Sequence, residues 1–221
     1  MKNRMLLSLM LLGLIGFLSY RDHSLPLQTQ DSRWQKINRA GVKLSAWQGP
    51  WSCVYDLEQH LLWEVKTNDE SIHDGDWTYS WFIAQQGQAN SGDCYFEQAR
   101  CDTTDLINRS NQTQLCGVQG WRLPTQAELT ALLQHHDRVG QVHVATDYFL
   151  HLKHGDYWTS NANQPLSGIY QHLKQGAIAI NMSQGSVVTL PYRNAAFVML
   201  VSDVNPKGIN TTVHSPQNRV H

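Results

Sequence analysis

The run Cys116-Gly117-Val118-Gln119-Gly120-Trp121-Arg122-Leu123-Pro124-Thr125-Gln126-Ala127-Glu128-Leu129 constrains the fold more than any other stretch of this chain. Thr125 with Glu128 three places on predicts a capping box. The amide of Glu128 donates to the threonine hydroxyl, and the amide of Thr125 donates to the Glu128 carboxylate. Leu129, Leu132 and Leu133 then fall on one face of a helix predicted from Gln126 to about His135, so that face docks on a core. Pro124 holds Leu123 extended just ahead of the cap.

A chain of 221 residues suits one domain with appendages and is long enough for a proper core. Its formal net charge of -1 supplies no global field for nucleic acid, and no basic helix with interleaved aromatics appears. Nucleic acid is therefore not an expected partner. Eight tryptophans and eight tyrosines are many for this length, as in surfaces that recognise sugars or proteins.

Lys2 and Arg4 precede an uncharged apolar run from Met5 to Leu18, which predicts that residues 1–20 are a signal peptide or an N-terminal membrane anchor. Either way the N-terminal segment contacts the inner membrane at least during export. The remainder is then exported: periplasmic, anchored facing the periplasm, or at the cell surface. Cys53, Cys94, Cys101 and Cys116 fit this compartment, since no Cys-x-x-Cys pair suggests zinc or redox chemistry. Four cysteines allow three pairings. The favoured one joins Cys94 to Cys101 and Cys53 to Cys116.

Residues 21–46 read as a polar linker, with a short helix near Trp34 to Ala40, and the domain is expected over 47–203. Cys53 to Leu57 and Leu61 to Lys66 predict a hairpin turning at Glu58-Gln59-His60. Residues 67–93 are polar and irregular around Trp77, Tyr79, Trp81 and Phe82, a length of loop that points to a role or a cross-link. Helical propensity runs from Cys94 to Asn108. Three further strands are expected: Gly176 to Met182, Ser186 to Leu190 after a turn that uses Gly185, and Phe197 to Val201. Residues 204–221 form a polar tail. Short strands, few helices and long loops make this an α+β domain.

Gly120-Trp121-Arg122-Leu123-Pro124-Thr125 with Glu128-Leu129 resembles the signature of the bacterial Lcl C-terminal domain family, also designated DUF1566. Asp56 to Trp63 resembles its opening strand pair, and Tyr148-Phe149 with Tyr157-Trp158-Thr159-Ser160 its second aromatic block. Phe197 to Val201 sits where the family closes, and the likeness covers roughly residues 50–203. His60 stands where the family usually has glycine, and the last strand lacks its common Val-Arg end. The resemblance implies a C-type-lectin-like fold, whose loops present the binding surface, and a role in adhesion with sulfated polysaccharide as ligand class.

Trp121 and Arg122 suit a ligand platform by chemistry, an indole face beside a guanidinium fork. Their place directly before a helix cap favours architecture instead, with Trp121, Arg122, Leu123, Pro124, Thr125 and Glu128 as a structural signature. Five histidines (His135, His136, His143, His151 and His154) invite a metal reading, but no His-Glu-x-x-His or equivalent pairing is present. They read as exposed loop residues. The Asp74 and Asp76 carboxylates lack the spacing of a calcium loop and read as turn formers. The four Asn-x-Ser/Thr sequons read as chance in a bacterial chain. No Gly-x-Ser-x-Gly, phosphate loop or free cysteine supports catalysis, and no metal or cofactor is expected.

The expected function is that of an exported, non-enzymatic binding module for anionic or sulfated envelope polysaccharide. Arg138, Lys153, His154 and Arg193 are the cationic candidates, with Trp77 and Trp81 as aromatic contacts. The alternative is a membrane-anchored periplasmic component of a pilus or secretion machine whose partner is an envelope protein.

Overall fold

The structure, a computed structural model, describes residues 33–94, 100–135 and 142–206. The expected signal or anchor, most of the tail, residues 95–99 of the expected first helix, and Arg138 lie outside them. Among the described residues no helix is long and apolar enough to cross a membrane.

The main sheet has five antiparallel strands: β1 (Trp34–Ile37), β2 (Cys53–Asp56), β3 (Leu61–Glu64), β6 (Trp121–Arg122) and β13 (Val201–Ser202), in the order β1-β2-β3-β13-β6. Between β3 and β6 lie a small hairpin, β4 (Phe82–Ile83) and β5 (Gln86–Gly87), and the helix α1 (Thr103–Gln112). The second helix, α2 (Gln126–Leu132), is followed by the hairpin β7 (Gln134–His135) and β8 (Val142–His143). A second sheet is centred on β11 (Gln175–Asn181), with β12 (Val187–Pro191) on one side and β9 (Asp156–Trp158) and β10 (Gln164–Pro165) on the other. The result is an α+β domain.

Strands β2 and β3 are buried at every position, because apolar residues cover both faces of the sheet. Tyr55 and Leu62 pack on one side with Leu106 of α1, Trp121 and Trp158. Val54 and Trp63 pack on the other with Leu129 and Leu132 of α2, Trp34 and Phe149. Both disulfides form as favoured, Cys53–Cys116 and Cys94–Cys101.

The segment 33–46, read above as the end of a linker with a short helix, is a correction. Trp34–Ile37 is the edge strand β1, paired with β2 from Trp34↔Asp56 to Ile37↔Cys53. Its polar residues are neutralised where they enter the fold. The Gln35 side-chain amide donates to Leu44 O at 2.6 Å, and Lys36 Nζ lies 3.7 Å from the Trp51 ring centroid. Trp34 is 1% exposed and meets Phe149 edge-on at 5.2 Å.

Two helix boundaries also differ from expectation. Asp102 caps α1 by accepting from the Asp105 amide at 3.1 Å, so the helix begins after Cys101 rather than near Cys94. Helix α2 stops at Leu132, because Leu133 turns extended (ψ 123) and leads into β7. The closing strand is shorter than Phe197 to Val201, since only Val201–Ser202 is regular. Residues 196–200 instead make single crossings. Ala196 bridges Tyr79, Phe197 bridges Tyr157, and Leu200 O accepts from the Glu64 amide at 3.0 Å.

The expected turn at Gly185 is present, with φ 69. The turn at His60 also needs the left-handed region (φ 57), which accounts for the family's glycine there. His60 is exposed, so its side chain offsets little of that strain. His60→Gly is expected to stabilise the domain by about 0.5–1 kcal/mol, the left-handed penalty exceeding the entropy glycine adds to the unfolded chain. Thermal unfolding should show a rise of about 2 °C. A fall would mean that His60 makes a contact worth more than the strain.

Candidate functional site

The signature block is scaffold. Trp121 is 2% exposed, and its indole N–H donates to Leu115 O at 3.2 Å. Arg122 spends its fork twice: on Glu128 through Nη1 (2.9 Å) and Nη2 (2.8 Å), and on Asp203 through Nε (2.9 Å) and Nη2 (2.7 Å). The predicted capping box is complete, with the Thr125 amide donating to Glu128 at 2.7 Å and the Glu128 amide to the Thr125 hydroxyl at 3.2 Å. Hydrogen bonds from Arg122 hold the Glu128 carboxyl below its ordinary range, and the two carboxylates raise the Arg122 pKa. A guanidinium so occupied has little left to offer a sulfate. The Asn111 side chain completes the lock, accepting from the amides of Gly120 (2.7 Å) and Trp121 (2.9 Å). A cleft of about 390 Å³ opens beside it, lined by Asn108, Asn111, Gln112, Gln119 and Gly120. It carries no charge to recognise an anion.

The sequence-derived aromatic and cationic candidates separate into different places. Trp81 is 3% exposed and donates its indole N–H to Thr159 O at 2.9 Å, so it is a core residue and not a ligand contact, correcting the expectation. Its ring instead supports Tyr192, with centroids 5.0 Å apart. Trp77 is half-buried against the core and donates to Ser71 O at 2.8 Å. Lys153 pairs with Asp76 at 2.6 Å, and His154 Nδ1 lies 3.3 Å from the Ser183 hydroxyl. Asp74 accepts from the amides of Glu70 and Asp76, each at 2.8 Å, which is the work of a turn former. Among the described residues, no three His, Cys, Asp or Glu side chains converge as a metal site.

A surface the sequence did not single out gathers around Tyr192. Its hydroxyl accepts from the Asn163 amide at 2.9 Å and from the Gln86 side chain at 3.0 Å, and Gln86 also bonds Asn163 directly. Three chain segments meet here. The β4–β5 hairpin brings Gln86 through a two-residue turn in which Ala84 (φ 51) and Gln85 (φ 66) are both left-handed. Gly87 lets this hairpin lie on Trp81, since a Cβ there would stand 2.2 Å from Trp81 O. Asn163 is left-handed too (φ 58). Non-glycine residues held in this region recur at functional sites. Arg193 is exposed and adjoins Tyr192 in sequence. No sequence signal pointed to this surface, because contacts between Gln86 and Tyr192 leave no periodic trace.

A second group escaped sequence reading. Glu64 is wholly buried, with Oε1 3.1 Å from Lys66 Nζ and 2.7 Å from His73 Nδ1, while Oε2 accepts from the Leu200 amide at 2.9 Å. Burial raises its pKa, but Lys66, His73 and the Leu200 amide more than offset this and hold it at about 2. An ionised carboxylate only accepts, so His73 Nδ1 carries the hydrogen. The group lies between β3, the 67–76 loop and the closing segment, a structural position. The one available signal was a lone acid at the end of the apolar run Leu61-Leu62-Trp63.

An antiparallel α+β domain with two buried disulfides, an arginine-locked helix cap and a loop-borne aromatic and amide surface defines the class. A family model described as the Lcl C-terminal domain matches residues 52–202, and the chain belongs to that family. No curated protein and no solved structure matches the chain. The residues from Arg33 to Trp51, including β1, precede the matched region.

Proposed function

We propose that this domain is an exported, non-enzymatic adhesin-like module that binds anionic or sulfated polysaccharide through the Tyr192 surface. The observation that carries the reading is the convergence of Tyr192, Gln86 and Asn163 on three loops, beside the exposed Arg193. A half-buried ring, amide groups and one guanidinium are the chemistry that sugar hydroxyls and a sulfate require. The placement of this surface on loops between short strands accords with a C-type-lectin-like arrangement. Lys153, paired with Asp76, and His154, beside the Ser183 hydroxyl, are the other described cationic candidates.

The test is binding to heparin-like glycan in low salt, at mildly acidic and at neutral pH. Arg193→Glu is expected to weaken binding about tenfold, the scale of one lost charge-assisted contact of roughly 1.5 kcal/mol. Gln86→Ala should weaken it while leaving the salt dependence unchanged. No binding at either pH would remove the glycan reading.

A second reading, a periplasmic assembly component that binds protein, is favoured by one feature. The outer edge of β12 pairs with no described strand, Val187 is 50% exposed, and residues 175–192 carry no charge. Such an edge accepts an added strand. Retention of the protein with the inner membrane on fractionation would support this reading and make a surface adhesin untenable.

A further inference from the structure

We propose that the segment from Asn38 to Pro50 is a membrane-contacting surface, resting on the anionic phospholipid headgroups of the bilayer that the N-terminal apolar run enters. It uses a different part of the fold from the polysaccharide reading and rests on the N-terminal apolar run staying in the mature chain as an anchor. From Ser32 to Tyr55 the sequence carries Arg33, Lys36, Arg39 and Lys43 and not one carboxylate. The fold consumes the first two. Arg33 Nη2 pairs with Asp56 at 2.7 Å, and Lys36, caged by Trp51 and Tyr148 on the side facing Asp147, donates to Ala46 O at 3.1 Å. Arg39 and Lys43 are exposed and have no ion-pair partner among the described residues. Beside them Trp47 is 74% exposed and Val42 55%.

These four residues lie on one short, exposed loop. The amide of Asn38 donates to Val42 O at 3.0 Å and closes the turn that carries Arg39, and the amide of Gln48 donates to Ser45 O at 3.0 Å and closes the turn that carries Trp47. Trp47 is four positions after Lys43, so their Cα atoms lie within about 14 Å. The segment is held in shape. Leu44 donates to Lys36 O at 2.9 Å, and Gly41 is left-handed (φ 83) where a Cβ would stand 2.5 Å from Cys116 O. The exposed tryptophan and valine are therefore presented by a braced loop.

The course of the chain and its charge identify the occupant. Ser19 to Ser32 join the apolar run to Arg33, a tether of at most about 48 Å. The chain enters the domain at Arg33, and the bond from Lys36 Nζ to Ala46 O holds the Trp47 turn beside that entry. A bilayer so close acts at high effective concentration. Tryptophan at headgroup depth with basic neighbours is the composition such interfaces favour, and each basic residue near an anionic surface contributes about 1 kcal/mol. The whole segment precedes the residues matched by the family.

The test uses the full-length chain in vesicles of phosphatidylglycerol with phosphatidylcholine, or of phosphatidylcholine alone. All four native cysteines are in disulfides, so Val42→Cys supplies one thiol for a fluorophore, and Ile169→Cys (80% exposed at the native residue, in the turn before β11) supplies the control. The label at position 42 should be quenched by headgroup nitroxide lipids in anionic vesicles, well above the label at 169. Arg39→Glu with Lys43→Glu should reduce that contact about tenfold or more, the scale of two lost headgroup interactions, with an unchanged Tm. Equal quenching at the two positions in anionic vesicles would overturn the proposal. So would quenching at 42 that survives the charge reversal, or charge-dependent capture of heparin-like glycan with no vesicle response.

Discussion

Glu64→Gln is expected to lower the midpoint of thermal unfolding by about 10 °C, reflecting a loss of roughly 3–5 kcal/mol at neutral pH. The carboxylate has no exposure to water, and neither Lys66 nor His73 has much, at 4% each. Glutamine keeps the shape and one acceptor oxygen, but it leaves the Lys66 ammonium buried without its counter-charge and points an N–H₂ group toward a donor. The pH dependence separates this from a packing defect. The folded carboxyl is held at about 2 against an ordinary 4.5. A depressed pKa stabilises the fold fully above the ordinary value, and the contribution drains away as pH falls from about 4.5 to about 2. That window carries roughly 3 kcal/mol in the native protein and nothing from this group in the variant. Denaturant titrations at pH 7 and pH 3 should therefore show the gap between the two proteins narrowing by about 2 kcal/mol. A variant penalty below about 1 kcal/mol at neutral pH would show that the buried cluster is stabilised in some other way.

Removing the Cys53–Cys116 disulfide by paired alanine substitution is expected to cost about 4 kcal/mol, against about 2 for Cys94–Cys101. The chain-entropy model scales with the residues enclosed, and the separations are 63 and 7. Geometry adds to the asymmetry. Both sulfurs of the longer bridge are in wholly buried residues, and the turn at Cys116-Gly117 interlocks with Ala40-Gly41, a Cβ on Gly117 coming 2.9 Å from Ala40 O. Loss of the bridge thus loosens β1 as well as β2. Equal thermal shifts for the two double variants would argue that the unfolded chain retains structure across the longer loop.

What could be seen from the sequence was local. The capping box, the hairpin ending at His60, the glycine of the β11–β12 turn and both disulfide partners rest on neighbouring residues or on counting cysteines. The misplaced elements depend on distant partners. Trp34–Ile37 looks polar because Gln35 and Lys36 find their partners at Leu44 and Ala46, outside the strand. Strands β2 and β3 lose the alternation of a half-exposed sheet because both faces are covered. The candidate site was displaced by one layer for a similar reason. Trp81 and Tyr192 stack, and only the fold decides which of two aromatic residues remote in sequence lies beneath the other. Arg193 was found because an exposed cation is visible in a sequence, whereas Tyr192, Gln86 and Asn163 become a cluster only in three dimensions.

The crossings made by residues 196–202 bear on when the domain can form. This short stretch meets Tyr79, β9, β3 and β6 in turn, and β13 occupies the middle of the main sheet rather than its rim. Every other strand is synthesised before it, so an emerging chain has an open slot between β3 and β6 and cannot seat Glu64 against Leu200. Pairings of such long sequence separation are slow to form. If the domain is exported as proposed above, that delay would keep the chain open for passage until β13, the last described strand, arrives.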